Sequence, residues 1–165
     1  MTPPSKPTSM TLRAATPEDC DLLLEMIREL AVFENLADQV TATPQILRES
    51  LFGSPPAAAA IIAEVDNEPA GYALYFSTFS TFTGKAGLYL EDIYVRPGWR
   101  KIGLGKKLLQ QVAGIAVERG CPRLEWSVLD WNQPAIDFYR SLGAEPLSEW
   151  IGQRLTGAAL KETAK

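Results

Sequence analysis

The segment from Gly87 to Arg119 constrains the fold of this chain more than any other. Gly87–Val95 is β-branched and aromatic, the composition of a strand, and it stops at Arg96-Pro97-Gly98. From about Gly103 to Arg119, Leu104, Leu108, Leu109, Val112 and Ala116 recur on one helical face, and Gly120 closes the helix. Between the two lies Arg100-Lys101-Ile102-Gly103-Leu104-Gly105-Lys106. A strand feeding an amphipathic helix through a glycine loop calls for a sheet with a helix packed on it. Unpaired N–H groups and the positive dipole end at such a helix start attract phosphate oxygens. Two well-known phosphate loops are excluded by single residues. A Walker loop places lysine after the glycine that Gly103 would supply, where Leu104 stands; a Rossmann fingerprint needs a third glycine where Leu108 stands. Taken alone, two glycines in a turn are equally consistent with a plain connection.

The rest of the chain reads as alternating strands and helices. Met10–Ala15 alternates as a first strand. Thr16-Pro17-Glu18-Asp19 carries a cap, a first-position proline and first-turn acids, opening a helix that Leu22, Leu23, Met26, Ile27 and Leu30 carry to Phe33 or Glu34. Thr43-Pro44 opens a shorter helix through Leu51. Ala59–Val65 and Pro69–Phe79 form a hairpin about Asp66-Asn67-Glu68. After the glycine-loop helix come a strand from Leu124 to Leu129, a helix from Asn132 to Leu142 stopped by Gly143, and a final strand from Leu147 to Leu155. The order βααβββαβαβ predicts one mixed α/β domain over residues 10–165. The polar, proline-rich residues 1–9 read as a loose tail.

Composition removes several kinds of chemistry. The chain of 165 residues has no histidine, which excludes Ser-His-Asp and Cys-His catalysis and every histidine-bearing metal site. Cys20 and Cys121 are the only cysteines, so no disulfide scaffold or zinc site is expected, and no metal. Cys121 as an acyl-transfer nucleophile has no histidine to activate it. A net charge of −4 disfavours nucleic acid and favours small cations. The most apolar uncharged run, Ala57–Ala63, falls far short of the roughly 20 residues of a membrane helix, and no secretory signal is visible. A soluble, cytoplasmic protein is expected.

The Arg-x-x-Gly-x-Gly pattern of Arg100–Gly105, with its flanking strand and helix, resembles the pyrophosphate loop of the Gcn5-related N-acetyltransferase superfamily. Asn132, Ala135, Tyr139 and Gly143 are spaced like that family's second signature, and the order of elements is similar from Met10 onward. Segments Arg13–Cys20, Ile27–Glu34 and Tyr89–Val95 resemble its diamine and polyamine branch. Within that branch Leu90–Val95 and Val128–Gln133 are most similar to the thialysine N-epsilon-acetyltransferases. Two departures stand out: Lys101 lies where many members have glycine, and Glu149–Leu155 lacks the family's Glu-Gly-Trp pattern.

The resemblance implies a central, twisted, mostly antiparallel sheet with helices on both faces. It also implies acetyl-CoA as acetyl donor, a small-molecule amine as acceptor, a ternary-complex mechanism and a homodimer. An alkyl amine with pKa near ~10 must lose a proton before it can attack a thioester. Glu91 matches the family's base position, and the other reading of it is an acid that simply ends the strand's polar face. Asp92 alternates to the opposite face and is the weaker base. By the resemblance Glu34 holds the far end of a diamine, and it and Phe33 are expected at the substrate with Glu91 and Asp92; from the residues alone Phe33 and Glu34 could equally just end the first helix. Backbone N–H groups about Ile93, Tyr94 and Val95 would meet the developing oxyanion. Arg100 to Lys106 would hold the phosphates. Asn132 would contact the pantetheine arm, or cap its helix, or both. Tyr139 matches the family's general acid; by spacing alone it would be a core tyrosine sharing a face with Ile136 and Leu142. A peptide acetyltransferase would want an open groove, and a non-catalytic binding module would have no use for Glu91 and Tyr139.

Overall fold

Spatial order in the sheet follows chain order. The computed structural model describes Pro7 and residues 9–165. Five strands, β1 (Met10–Ala14), β2 (Ala59–Val65), β3 (Glu68–Ser80), β4 (Lys85–Val95) and β5 (Leu124–Trp126), lie side by side as β1-β2-β3-β4-β5. The first three pairings are antiparallel and the last is parallel. A two-residue turn suffices for the β2–β3 hairpin: Asp66 and Asn67 both take positive φ (50° and 68°), as a turn matched to strand twist requires. A parallel neighbour instead needs a crossover, which α3 (Leu104–Glu118) provides.

Each face of the sheet is covered by helix. Ile62, Tyr72 and Tyr94 are successive cross-strand partners, so they share one face. Leu23, Met26 and Leu30 of α1 (Cys20–Phe33) and Leu51 of α2 (Pro44–Phe52) pack on them. The opposite face carries Ile61, Ala73 and Tyr75, and α3 lies over it with Leu104, Leu108 and Val112 buried. At the far end of α3 the Arg119 guanidinium sits 5.7 Å above the Tyr75 ring. The expected mostly antiparallel sheet with helices on both faces is therefore present.

An ion-pair cluster ties β1 to the start of α1. Arg13 grips both oxygens of Asp19 (2.8 and 2.9 Å) and reaches Glu64 on β2 through Nε (2.9 Å). The Thr16 N–H donates to Asp19 Oδ2 at 2.7 Å. These contacts, Arg13 foremost, hold the Asp19 carboxyl at a pKa of about 2, below its usual 3.8, although burial acts the other way. A depressed carboxylate stabilises the fold above its unfolded pKa, and that contribution disappears as pH falls toward 2. Asp19→Asn should therefore cost about 2 kcal/mol at pH 7. In urea denaturation the gap from wild type should close between pH 4 and pH 2; equal stabilities at pH 7 would mean the pair contributes nothing.

By contacts the chain falls into two compact units, one ending at Ser127 and the other running from Val128 to Lys165. The second unit contains α4 (Gln133–Ser141), where the sequence places a helix, and α5 (Gly157–Thr163), which it does not. The strand expected at Leu147–Leu155 is absent, so the order ends in helix rather than strand. Within this unit no other strand offers an edge, and a lone strand leaves its backbone groups without a ladder. Leu147, Trp150, Ile151 and Leu155 are all exposed there, and Gly152 interrupts them. Of the tail expected at residues 1–9, residues 1–6 and 8 lie outside the described residues, while the Ser9 N–H donates to Asp66 (2.9 Å).

Candidate active site

One extra residue in β4 creates the site in the first unit. Tyr75 pairs with Leu90 and Leu74 with Asp92, leaving Glu91 with no partner on β3. This is a β-bulge, and it resets the side-chain alternation. On a regular ladder Leu90 and Asp92, two residues apart, would share a face. Here Leu90 stays with Tyr75 on the α3 side, while Asp92 goes with Leu74 to the side of α1 and α2. Glu91 is exposed at the bulge itself.

The neighbouring strand leaves β4 at the same place. The parallel ladder consists of Leu88–Leu124, Tyr89–Glu125 and Leu90–Trp126, and it ends there. Beyond it the Arg96 N–H donates to Ala70 O (2.9 Å), toward β3. By alternation the N–H groups of Val95 and Ile93 point the other way, along an edge that no strand of the described residues pairs with. Tyr94, expected among the oxyanion donors, instead has its ring buried in the α1-side core and by the same alternation its backbone N–H faces β3, opposite Tyr72.

Asp92 meets Glu34 and Tyr72. The Tyr72 hydroxyl donates to Asp92 Oδ2 at 3.0 Å. Burial pushes the Asp92 carboxyl up, the Tyr72 hydrogen bond opposes this, and the charge of Glu91 adds to the rise. Glu34, just past the end of α1, is likewise raised, first by burial and then by Asp92. Among the described residues neither carboxylate has an ion-pair partner. The nearby arginines are committed elsewhere: Arg96 binds Glu25 and Glu29. Arg100 donates through Nε to Val95 O (2.9 Å) and lies 5.1 Å from the Phe33 ring centre and 5.8 Å from that of Tyr94. Phe33 and Arg100 are thus brought together, a contact that nothing in their sequence positions announces.

The glycine loop ends in an open helix start. Gly103 occupies the N-cap position of α3 at φ +89°, a left-handed conformation, and a Cβ there would meet nothing within 4 Å. No side chain caps this helix, so the first-turn N–H groups of Leu104, Gly105 and Lys106 keep their donor capacity. Leu104 is buried by its side chain and offers only backbone, whereas Lys101 and Lys106 are exposed. Gly105 packs against Val95: a Cβ there would lie 3.8 Å from Val95 Cγ2. The donor set suits a pyrophosphate. Lys101 has φ +66°, which explains why glycine would be at home in its place.

The second unit holds the remaining predicted residues. Asn132 caps α4, its Oδ1 accepting from the Ala135 N–H at 3.4 Å. Tyr139 is half-buried in the last turns of α4, its ring centre 5.3 Å from that of Phe138. Leu142, expected on its face, is exposed.

Sequence and fold comparisons agree with one another. Thialysine N-epsilon-acetyltransferase of Sus scrofa is 41% identical over 167 residues, covering 94% of this chain and 98% of its own length. An L-ornithine N5-acetyltransferase of Arabidopsis thaliana is 33% identical, covering 93% of this chain and 87% of its own. Among solved structures, an integron cassette protein from the mobile metagenome of V. cholerae superposes with a TM-score of 0.80 at 26% identity, over 96% of this chain and 99% of its own. A metagenomic aminoglycoside acetyltransferase shares the fold, with a TM-score of 0.75 at 19% identity over 89% and 97% of the two chains. No helix among the described residues is long and apolar enough to cross a membrane. Residues 24–144 match the acetyltransferase (GNAT) family, and with such relatives over nearly its whole length the chain belongs to that family and is an N-acetyltransferase.

Proposed function

We propose that the chain moves an acetyl group from acetyl-CoA directly to the primary amine of a small cationic acceptor, within a ternary complex. The acceptor is an amino acid or polyamine of the thialysine, lysine or spermidine kind. The observation that carries this is the bulge at Glu91. It sits where β5 leaves β4, beside the N–H groups of Ile93 and Val95 that no strand among the described residues pairs with, and it sets Asp92 on the α1 side, near Glu34. Donors and uncompensated carboxylates on one short piece of strand suit a reaction in which a cation is bound, loses a proton, and attacks a carbonyl whose oxygen gains charge.

The roles divide as follows. Arg100 to Lys106 hold the phosphates of the donor, chiefly through backbone N–H groups at the start of α3. Acetyl-CoA, when bound, supplies an activated thioester carbonyl. Glu34 and Asp92 bind the charged acceptor beside the aromatic ring of Phe33. Glu91, exposed at the bulge, takes the amine proton directly or through water. Tyr139 returns a proton to the departing thiolate, and Asn132 contacts the pantetheine arm while capping α4. Cytoplasmic location and homodimerisation belong to the same proposal, the second carried from the family resemblance.

Thiol release from acetyl-CoA, followed with a disulfide reagent, tests it across thialysine, lysine, putrescine, spermidine and a basic peptide. Turnover is expected with the small amines and little with the peptide. Tight acetyl-CoA binding without turnover of any amine would sink it.

A further inference from the structure

We propose that Tyr72 is a positioning residue for amine recognition: its buried hydroxyl fixes Asp92 on the α1 side of the sheet, where Asp92 and Glu34 together hold the acceptor's cation. This rests on the proposed amine-transfer function and goes beyond it, because it assigns a role to a core residue that no motif marks.

The geometry leaves the hydroxyl one purpose. Tyr72 is 0% exposed and its ring is enclosed by Leu23, Met26, Ile62 and Tyr94. A phenylalanine would fill that volume equally well, and a buried hydroxyl is a liability unless it is bonded. Its hydrogen-bond partner is Asp92 Oδ2. Asp92 in turn is on this face only because the bulge at Glu91 moved it there. A carboxylate brought inward needs a donor or a cation, and the charged groups around it supply no cation. From α1 and its end come Glu29 and Glu34. From β4 come Glu91, Tyr94 and Arg96, with Arg96 committed to Glu25 and Glu29. From the glycine loop comes Arg100, held against Phe33 and Tyr94. Two carboxylates beside aromatic rings and without a counter-ion take one from outside, and a protonated amine has the matching charge.

Tyr72 acts on this subsite in two ways. It holds one oxygen of Asp92 so that the carboxylate cannot turn away. It also favours the ionised form against burial and the charge of Glu91. Removing the hydroxyl should therefore raise the Asp92 pKa further, and amine binding should fade at a higher pH than in wild type.

The test uses Tyr72→Phe, Asp92→Asn and the double variant in the full chain, with thialysine and lysine as acceptors over pH 5 to 9. Tyr72→Phe should raise the amine KM about tenfold at neutral pH, the size of one charge-assisted hydrogen bond. It should shift the acid limb of kcat/KM upward while the acetyl-CoA KM stays within twofold. In the Asp92→Asn background the same change should add nothing. A carbon-13 titration of the aspartate carboxyls gives the Asp92 pKa without turnover, and it should rise in Tyr72→Phe. An unmoved Asp92 pKa and acid limb would overturn the inference, as would an equal loss in the Asp92→Asn background. Wild-type protein that binds acetyl-CoA but turns over no amine would instead fail the proposed function, and this inference with it.

Discussion

Replacing Tyr139 by phenylalanine is expected to lower kcat by about 10²-fold, the usual contribution of a positioned proton donor. Acetyl-CoA affinity, measured by calorimetry, should change little. The substitution removes one oxygen and keeps the ring that lies tilted beside Phe138, so α4 retains its packing. The helix is also held by contacts that do not involve the hydroxyl: Asn132 caps its start, and the Tyr139 carbonyl accepts from the Leu142 and Ala144 N–H groups at its end. A loss confined to kcat would assign the phenol to the leaving thiolate. An unchanged kcat would remove Tyr139 from the chemistry and return it to the role of a packing residue.

Gly71→Ala should be among the most damaging single methyls in the first unit. A Cβ at Gly71 would lie 2.3 Å from the Tyr94 carbonyl oxygen and 3.2 Å from the Val95 Cα. Both are backbone atoms of β4 and cannot rotate aside, so the two strands must part. Overpacking of this kind costs about 3 kcal/mol, or a fall in Tm on the order of 10 °C for a chain of this length. The displaced stretch of β4 includes Val95, whose N–H faces the open edge, so kcat should drop together with Tm. Thermal melts and initial rates on the same preparation check both, and a wild-type Tm would show that the strands can part there without cost.

Local signals made most of the elements legible. Thr43 before Pro44 marks the start of α2, and the Thr43 hydroxyl does accept from the Ile46 N–H (3.2 Å). Ala59–Val65 is a strand with the bounds its apolar run suggests. Gly103 and Gly120 bracket α3, both at positive φ. The loop's affinity for phosphate could also be read, because helix ends advertise themselves through glycine and spacing. The position of Asp92 could not. Period-two counting holds only while each residue has a partner, and nothing in Leu90-Glu91-Asp92 says that one residue will be left over. Tyr72 was hidden for the same reason: its role depends on a cross-strand neighbour twenty residues away. At the C-terminus apolar spacing alone suggested a strand. Strand formation, however, is decided by an available edge, which a sequence does not display.

The bulge also makes chain length a part of the chemistry. Removing Glu91 would let β3 and β4 pair without interruption and would leave Asp92 opposite Leu74 on the α1 side, so the loss would be the bulge itself and the exposed carboxylate carried on it. The residue count here decides whether the ladder is interrupted at all, which no substitution at Glu91 changes.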